Sequence, residues 1–285
     1  MIDVGNYYTL AITKLCNHGL YLDAEDLGEV LLPRRYAPDD TEVGDELEVF
    51  LYLDSDDVPI ATTDKPYAKL GDCASLKVVD INNAGAFLDW GLSKDLMVPY
   101  SEMRVPMEVG RSYVVYIFLD ERDQRLVASS KLSQYLPEDN NEGHPQGCDN
   151  FKVNEAVELL ICSRSDLGYK AIINGSHLGL IFRDDALQPL RMGKKMQGYI
   201  KDIRPDGRID LCLQLQGQAV RDQLSQQIID HIKANGGTTS LTDKSTPEDI
   251  FRQFQVSKKN YKKALGSLYK QKLVSLSSDI IRLIE

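Results

Sequence analysis

Two groups of residues in the second half of the chain combine the side chains that bind single-stranded nucleic acid. The first mixes aromatic rings with cations between residues 169 and 208, and the second is a set of lysines between residues 258 and 270. Rings can stack on unpaired bases, while lysine and arginine bind the phosphate backbone. The candidate RNA-binding residues are Tyr169, Lys170, Phe182, Lys194, Lys195, Tyr199, Lys201, Arg204, Arg208, Lys258, Lys259, Lys262, Lys263 and Lys270.

The lysine group leaves two interpretations open. Lys258/Lys262 and Lys259/Lys263 are pairs of like charge at i,i+4, and each pair costs a helix a few tenths of a kcal/mol. The lysines could be an ordinary solvated helix face, or they could bind phosphates. Base-specific reading is disfavoured, because Arg, Asn and Gln are nearly absent from that segment.

Motifs for catalysis, metals and cofactors are missing from the sequence. It contains no GxxxxGK[ST], GxGxxG, HExxH or GxSxG motif. Its five cysteines and four histidines are dispersed, without a CxxC pair. The carboxylates of Asp54, Asp56 and Asp57 are typical of a solvated hairpin tip. We therefore expect no enzymatic activity, no metal site and no cofactor.

The sequence also bears on cellular location. An odd number of scattered cysteines favours reduced thiols. No apolar run reaches the roughly 18 residues that a membrane span requires, and the first residues lack the pattern of a secretory signal. We expect a cytoplasmic protein that makes no membrane contact.

Charge is divided unequally along the chain. The whole chain has a formal net charge of −10, but residues 1–149 carry −16 and residues 150–285 carry +6. Such asymmetry suggests that the C-terminal half meets a polyanion. The acidic half is either a solubilising part or the surface for a protein partner.

An internal repeat organises the first 217 residues. Four columns of residues recur at offsets of 66 and then 83 residues. The columns are Gly5/Gly71/Asn154, Gly19/Gly85/Gly168, Pro33/Pro99/Phe182 and Gly44/Gly110/Gly193. Each copy has about five short segments rich in β-branched and aromatic residues, separated by turn residues. The pattern predicts three small closed barrels, at 1–66, 67–134 and 150–217, with a linker at 135–149.

After residue 217 the hydrophobic period changes to that of a helix. Leu224, Ile228 and Ile232 follow the helical spacing, and a Thr246-Pro247 start and a Ser257 cap predict two more helices. Two short apolar segments joined by Ser277-Ser-Asp279 predict a terminal hairpin. Residues 218–285 are therefore predicted to form a winged helix-turn-helix, which makes the whole chain mainly β with an α+β C-terminal domain.

The segments Gly85-Ala-Phe-Leu-Asp-Trp-Gly91 and Leu96-Met-Val-Pro-Tyr-Ser101 resemble the S1 RNA-binding domain, a variant of the OB-fold. At the positions that correspond to its stacking aromatics, the first two copies offer His18, Tyr21 and Phe87 as weaker RNA-binding candidates. In the second copy, Ala84 and Pro99 occupy the other two positions, so its platform is depleted. The first copy has Pro33 at its third position. The third copy alone combines aromatics with a surplus of cations.

Three S1-like barrels and a winged helix together resemble the conserved virulence factor B (CvfB) family of bacterial RNA-binding proteins. The resemblance extends over the whole chain and is clearest at Val49–Asp57, Gly198–Leu211 and Ser257–Tyr269. It implies RNA binding and post-transcriptional gene regulation without catalysis. The aromatic and cationic residues named above favour single-stranded RNA, bound with low sequence specificity. Two alternatives stay open, namely a DNA-binding regulator that uses the winged helix and an adaptor whose acidic barrels bind a protein.

Overall fold

The structure is a computed structural model that describes residues 2–139, 151–186, 188–214, 218–277 and 279–284. The chain divides into two compact units, Met1–Tyr135 and Leu136–Glu285. The first unit contains two β-barrels, and the second contains a third barrel and a helical domain.

Each barrel closes from five strands, as the repeat predicts. The strands of the first barrel are β1 (Tyr7–Cys16), β2 (Gly19–Asp23), β3 (Glu29–Pro33), β4 (Glu46–Leu53) and β5 (Pro59–Thr62). Those of the second are β6 (Cys73–Ile81), β7 (Gly85–Asp89), β8 (Leu96–Pro99), β9 (Ser112–Leu119) and β10 (Leu126–Ser129). Those of the third are β11 (Ala156–Arg164), β12 (Gly168–Ile173), β13 (His177–Phe182), β14 (Lys195–Ile203) and β15 (Ile209–Cys212).

All three barrels share one strand order. The first runs β1-β2-β3-β5-β4, and the others repeat this order around the closed sheet. The third and fifth strands of each barrel pair in parallel, while the other neighbours are antiparallel. Closure leaves no unpaired strand edge, which explains why strands of four to ten residues are sufficient.

The repeat columns have matching structural roles in each barrel. The glycine at the start of the second strand pairs with the last residue of the third strand, as Gly168 does with Phe182. A Cβ on Gly168 would lie 2.0 Å from the carbonyl oxygen of Ile181, and Gly19 and Gly85 meet their third strands equally closely. Close backbone approach therefore requires glycine in this column.

Two aromatic residues of the first barrel pack into the hydrophobic core of the second barrel, inside the N-terminal unit. Phe50 and Tyr52 of β4 belong to the same buried cluster as Leu88, Trp90 and Val115 of the second barrel. The rings of Phe50 and Trp90 meet edge to face, with centroids 5.8 Å apart. Aromatic contacts of this kind stabilise packing beyond the area they bury, so these barrels form one tandem body.

The C-terminal domain is a winged helix, as predicted, but its sheet has three strands. The helices are α1 (Gln218–Ala234), α2 (Pro247–Phe254) and α3 (Lys258–Lys270). The strands β16 (Thr238–Thr239), β17 (Val274–Leu276) and β18 (Ile281–Leu283) pair in the order β16-β18-β17. Strand β16 was missed in the sequence because it has only two residues and follows directly on a Gly-Gly turn.

The helix starts follow the predicted caps. The Thr246 hydroxyl accepts a hydrogen bond from the backbone N–H of Asp249, and the Ser257 hydroxyl accepts one from the N–H of Asn260. Tyr261 is fully buried, and its hydroxyl donates to the carbonyl of Leu241 at 2.7 Å. The apolar face of α3 is therefore fixed inward and its lysines are directed outward.

The beginning of the predicted linker packs on ordered structure. The ring of Tyr135 stacks on Tyr116 in the N-terminal unit at 4.8 Å. In the C-terminal unit, the N–H of Leu178 donates to the carbonyl of Pro137, and Asp139 forms a β-bridge with Arg208. The rest of the predicted linker, residues 140–149, lies outside the described residues.

Candidate nucleic-acid interface

The outer surface of the third barrel presents one continuous face across four strands. Paired residues on neighbouring strands point to the same side of a sheet. Lys170 of β12 pairs with Leu180 of β13, which pairs with Asp210 of β15. Phe182 pairs with Gly168 on the same side. We call this surface on β12, β13, β15 and β14 the barrel 3 face.

Phe182 lies half-buried on the barrel 3 face with two cations beside it. The Lys201 Nζ is 5.6 Å from the centre of the Phe182 ring, and the Arg204 Cζ is 5.4 Å from it. Cations at such distances are attracted to the ring. The face therefore joins a ring for stacking to cations for a backbone.

The central cations of the barrel 3 face are bound to carboxylates. Lys201 pairs with Asp185, whose side chain is only 4% exposed. Arg204 bonds Asp210 through Nε at 2.9 Å and through a terminal nitrogen at 2.7 Å. These pairs hold Lys201 and Arg204 in place beside Phe182, but they also neutralise the centre of the face.

A third ion pair covers Lys170. Its Nζ lies 2.6 Å from the Glu138 Oε1, in the short segment that packs on the barrel from outside. Both side chains are more than one-third exposed. Solvent screens such a pair, so Glu138 holds Lys170 only weakly.

The remaining third-barrel candidates lie toward the edges. Lys194 and Lys195 are exposed where β14 begins, and Tyr199 is half-buried further along that strand. Arg208 is exposed on the β14–β15 turn, 3.7 Å from the Asp206 carboxylate. The positive charge that is open to a ligand is therefore greater at the rim than at the centre.

Tyr169 corrects the sequence analysis. It pairs with Ile181 on the inner side of the sheet and is only 7% exposed within the barrel core. Its neighbours Gly168 and Lys170 point outward, since alternate residues of a strand face opposite sides. Tyr169 is thus a core residue and cannot stack on a base.

The lysines of α3 form the second candidate surface. Lys259, Lys262, Lys263 and Lys270 are exposed, and Lys258 is partly covered. Their partners are weak, because Lys262 is 3.9 Å from Asp243 and Lys258 donates to the carbonyl of Lys244 at 3.4 Å. Exposed pairs at these distances contribute little. The α3 lysines therefore remain available for phosphates.

The weaker candidates lie in the N-terminal unit. His18 is exposed, and Tyr21 is half-buried with the Lys14 Nζ 5.9 Å from its ring centre. Phe87 is half-buried on the outer face of the second barrel, opposite Met97. These three residues lie in two different barrels, so they do not form one surface.

The second barrel's outer face is partly covered by the first barrel. The carboxylate of Asp57, on the β4–β5 turn, forms ion pairs with both Lys94 and Arg125. Lys94 also donates to the carbonyl of Asp54. The acidic turn of the first barrel thus neutralises two cations on the outer face of the second barrel.

Sequence reasoning missed the partners of the candidate cations. Asp185, Asp210 and Glu138 each bind one cation of the barrel 3 face. Only the Arg204–Asp210 pair had a local signal, because the two residues flank the Asp206-Gly207 turn and face each other across a hairpin. The other two pairs join residues 16 and 32 positions apart.

Two further observations concern the described part of the chain alone. No group of three or more His, Cys, Asp or Glu residues there is arranged to hold a metal ion. None of its helices has the length and apolarity needed to cross a bilayer.

Comparison with known proteins identifies three domains. The S1 domain model matches residues 4–64 and 70–131, which are the first two barrels. The model for the CvfB-like winged helix domain matches residues 226–283. Neither model describes a catalytic domain.

Two relatives are similar over most of the chain. The protein YitL of Bacillus subtilis (strain 168), called uncharacterized, is 27% identical over 93% of this chain and 89% of its own length. Conserved virulence factor B of Staphylococcus aureus (strain N315) is 27% identical over 86% of this chain and 81% of its own.

A solved structure also aligns along the chain. It is a multidomain protein with nucleic acid binding domains from Streptococcus pneumoniae TIGR4, 21% identical, with a TM-score of 0.42 over 99% of this chain and 98% of that chain.

The barrels and helices observed here agree with the two matched models, and the predicted resemblance is confirmed. The chain belongs to the family of proteins that join S1 domains to a CvfB-like winged helix.

Proposed function

We propose that this protein is a non-catalytic RNA-binding protein that acts in post-transcriptional gene regulation. It binds single-stranded RNA through two surfaces of the C-terminal unit, the barrel 3 face and the α3 lysines. The observation that carries the proposal is Phe182 on an outer strand with Lys201 and Arg204 beside its ring. Rings and cations together are what unpaired bases and their backbone need.

Low sequence specificity follows from the chemistry of these surfaces. Stacking accepts every base, because every base has a π-face. Lysine binds phosphate as a point charge, whereas forked or amide side chains are needed to read base edges. The exposed cations of α3 are all lysines. We therefore expect affinity to depend on strand length and salt more than on sequence.

A DNA-binding regulator is the second candidate. Helix α3 has the position of a recognition helix in a winged helix-turn-helix, and its lysines face outward. Competition between single-stranded RNA and duplex DNA of equal length separates the two functions. Preference for the duplex would favour transcriptional control, and preference for RNA supports our proposal.

An adaptor role for the acidic barrels is the third candidate. The second barrel has a shallow groove of about 380 Å³, formed by Tyr100, Met103, Val105, Pro106 and Met107 among others. Tyr100 and Val105 are each more than half exposed. Exposed apolar residues of this kind can mark a protein-binding surface. A pull-down with the N-terminal unit tests this role.

A crosslinking map on the full chain tests the proposed RNA site. Ultraviolet crosslinking of a bound oligoribonucleotide, followed by peptide mass spectrometry, should identify peptides that contain Phe182 and the α3 lysines. Crosslinks concentrated at Tyr21 or Phe87 would instead place the RNA on the N-terminal barrels and overturn the proposal.

A further inference from the structure

The second barrel has an apolar groove next to the end of strand β8, which we call the barrel 2 groove. It encloses about 380 Å³, and its apolar lining consists of Ile81, Tyr100, Met103, Val105, Pro106 and Met107. Among the described residues that line it, Arg104 alone is charged. Pockets of this volume hold small ligands, so the groove has room for one large side chain of a partner.

The residue at position 100 sets the second barrel apart from the other two. The offsets of the internal repeat align Tyr100 with Arg34 in the first barrel and with Arg183 in the third. All three side chains are exposed, Tyr100 by 53%. The Tyr100 hydroxyl donates to the carbonyl of Asn82 at 2.7 Å, which fixes the ring beside the groove. The second barrel therefore has an anchored ring where the other barrels have a cation.

Val105 differs from its repeat equivalents in the same way. It aligns with Asp39 in the first barrel and with Gln188 in the third, and all three residues are exposed. Exposed apolar residues that lie together mark surfaces that another molecule covers. Because two barrels of the same fold use polar or charged residues at this position, the barrel itself does not require a valine there.

Arg104 supplies a charge that the described part of the chain leaves unpaired, since none of the carboxylates there forms an ion pair with it. Glu102 accepts a hydrogen bond from the Tyr135 hydroxyl at 3.1 Å, and Glu108 pairs with Arg111 at 3.0 Å. A guanidinium binds a carboxylate through two parallel hydrogen bonds. The Arg104 side chain therefore favours a partner that carries Asp or Glu.

Asp80, on strand β6, is a further charge near the groove. It does not line the groove, and it pairs with Phe87 of β7. Burial and the charges of Asp89 and Asp80 raise the pKa of the Asp95 carboxyl, so these three carboxylates lie near one another. Asp80 thus belongs to an acidic group outside the groove lining and does not neutralise Arg104.

The charge around the groove favours a peptide over RNA. RNA binding needs cations, but the repeat position that holds Arg34 or Arg183 in the other barrels has none here. The second barrel, residues 67–134, contains nine acidic and eight basic residues, whereas residues 1–66 contain 15 and 4. A carboxylate is therefore repelled far less at the second barrel than at the first.

The closed sheet also determines how a peptide can bind. All five strands of the second barrel are paired around the barrel, so it has no free edge to which a peptide could add as a strand. The peptide must bind through its side chains instead. Met103 and Met107 line the groove, and methionine adapts its shape to different apolar partners.

We propose that the barrel 2 groove binds a peptide segment of a partner protein. One large aliphatic side chain of the peptide fills the groove, and a neighbouring Asp or Glu pairs with Arg104. The proposal rests on the adaptor role of the N-terminal unit, to which it gives a site and a partner chemistry. It does not depend on RNA binding by the C-terminal unit.

A phage-displayed library of short random peptides, selected on the immobilised full-length protein, is the probe. We expect the enriched peptides to share Leu, Ile or Met next to Asp or Glu. One enriched peptide is then synthesised with a fluorescent label, and its affinity for the full-length protein is measured by fluorescence anisotropy.

Two variants take their new residues from the other barrels, so the fold should tolerate them. Tyr100→Arg introduces the residue found at Arg34, and Val105→Asp introduces the residue found at Asp39. Each should weaken peptide binding about tenfold or more, because apolar contact in the groove is lost. Val43→Asp makes the same change at an exposed valine of the first barrel and should leave peptide binding unchanged.

A charge exchange tests the role of Arg104. Arg104→Gln should weaken binding of the acidic peptide by up to about fivefold, the range of an exposed ion pair, and salt should reduce the difference. Arg104→Glu should bind the same peptide with Lys in place of its acidic residue more tightly than the original peptide.

Three results would overturn the proposal. They are no enrichment of peptides above a selection on Tyr100→Arg, equal peptide affinity of Val105→Asp and the wild type, or displacement of the peptide by single-stranded RNA in a variant that lacks the four α3 lysines. Tyr100→Arg should leave RNA binding unchanged, so a failure of this site is distinguishable from a failure of the proposed RNA surfaces.

Discussion

Phe182 is the residue on which the proposed RNA face depends. Its ring is half-buried and outward, so Phe182→Ala removes a stacking surface without opening a cavity in the barrel core. We expect RNA binding to weaken by about 1–3 kcal/mol, the usual contribution of one stacked base. Fluorescence anisotropy with a labelled oligoribonucleotide measures the loss.

The control for this variant is Tyr169→Phe on the inner side of the same strand pair. It removes one hydroxyl from the core and should leave RNA affinity unchanged. A large fall in the melting temperature of Phe182→Ala, with unchanged affinity of the folded protein, would show instead that Phe182 is a structural residue.

Glu138 limits the charge of the barrel 3 face. Its carboxylate is 2.6 Å from the Lys170 Nζ and must be displaced before phosphate can bind there. Glu138→Gln should therefore strengthen RNA binding and steepen its dependence on salt, because Lys170 becomes free for phosphate. Glu158→Gln makes the same charge change on β11, outside the face, and serves as the matched control. Equal effects of the two variants would mean that only net charge matters.

At the scale of elements, the outward face of α3 should act through charge alone. Replacing Lys258, Lys259, Lys262 and Lys263 by Gln should weaken binding to every RNA alike. The plot of log affinity against log salt should flatten by about 0.7 for each phosphate that the helix no longer neutralises. Folding should survive, because none of the four contributes to the buried face, and relief of like-charge pairs can stabilise the helix slightly.

The variant with four lysines replaced by Gln also shows whether α3 binds RNA or duplex DNA. Loss of duplex DNA binding with intact RNA binding would assign α3 to DNA. An unchanged salt slope with both ligands would show that the lysines are only a solvated face, and RNA binding would then belong to the third barrel alone.

The stability of the winged helix should fall at alkaline pH because of Tyr261, on the inward face of α3. Burial raises the pKa of the Tyr261 hydroxyl above its usual value near 10, so the folded domain keeps it neutral while the unfolded chain ionises. The stability that this burial provides is complete below about pH 10 and declines as pH rises above it. Tyr261→Phe should lower stability at neutral pH by about 1 kcal/mol and flatten the alkaline decline. An alkaline decline identical to the wild type, by thermal melting, would contradict this assignment.

Much of the element structure follows from the sequence, and the exceptions have physical causes. The repeat columns predict the barrels because close approach at Gly19, Gly85 and Gly168 admits no side chain. Tyr169 is an RNA-binding candidate in the sequence but a core residue in the structure, since its direction depends on strand register, which no local pattern near it reveals. The carboxylates that bind Lys170 and Lys201 come from distant segments, and their positions are known only once the chain has folded.

At the scale of the whole molecule, the two units differ in charge and in what they leave uncovered. In the N-terminal unit, the acidic turn around Asp57 binds two cations of the second barrel, Lys94 and Arg125. In the C-terminal unit, Lys194, Lys195 and four of the five α3 lysines stay exposed. Phosphate neutralisation supplies most non-specific affinity, so RNA binding should belong almost entirely to the C-terminal unit.

The most direct test of this account is a titration of one single-stranded RNA with the full chain and with each unit alone, residues 1–135 and 136–285. Circular dichroism first establishes that both units are folded. We predict that residues 136–285 bind nearly as tightly as the full chain and that residues 1–135 barely bind. Full affinity in residues 1–135, or none in a folded 136–285, would contradict the account.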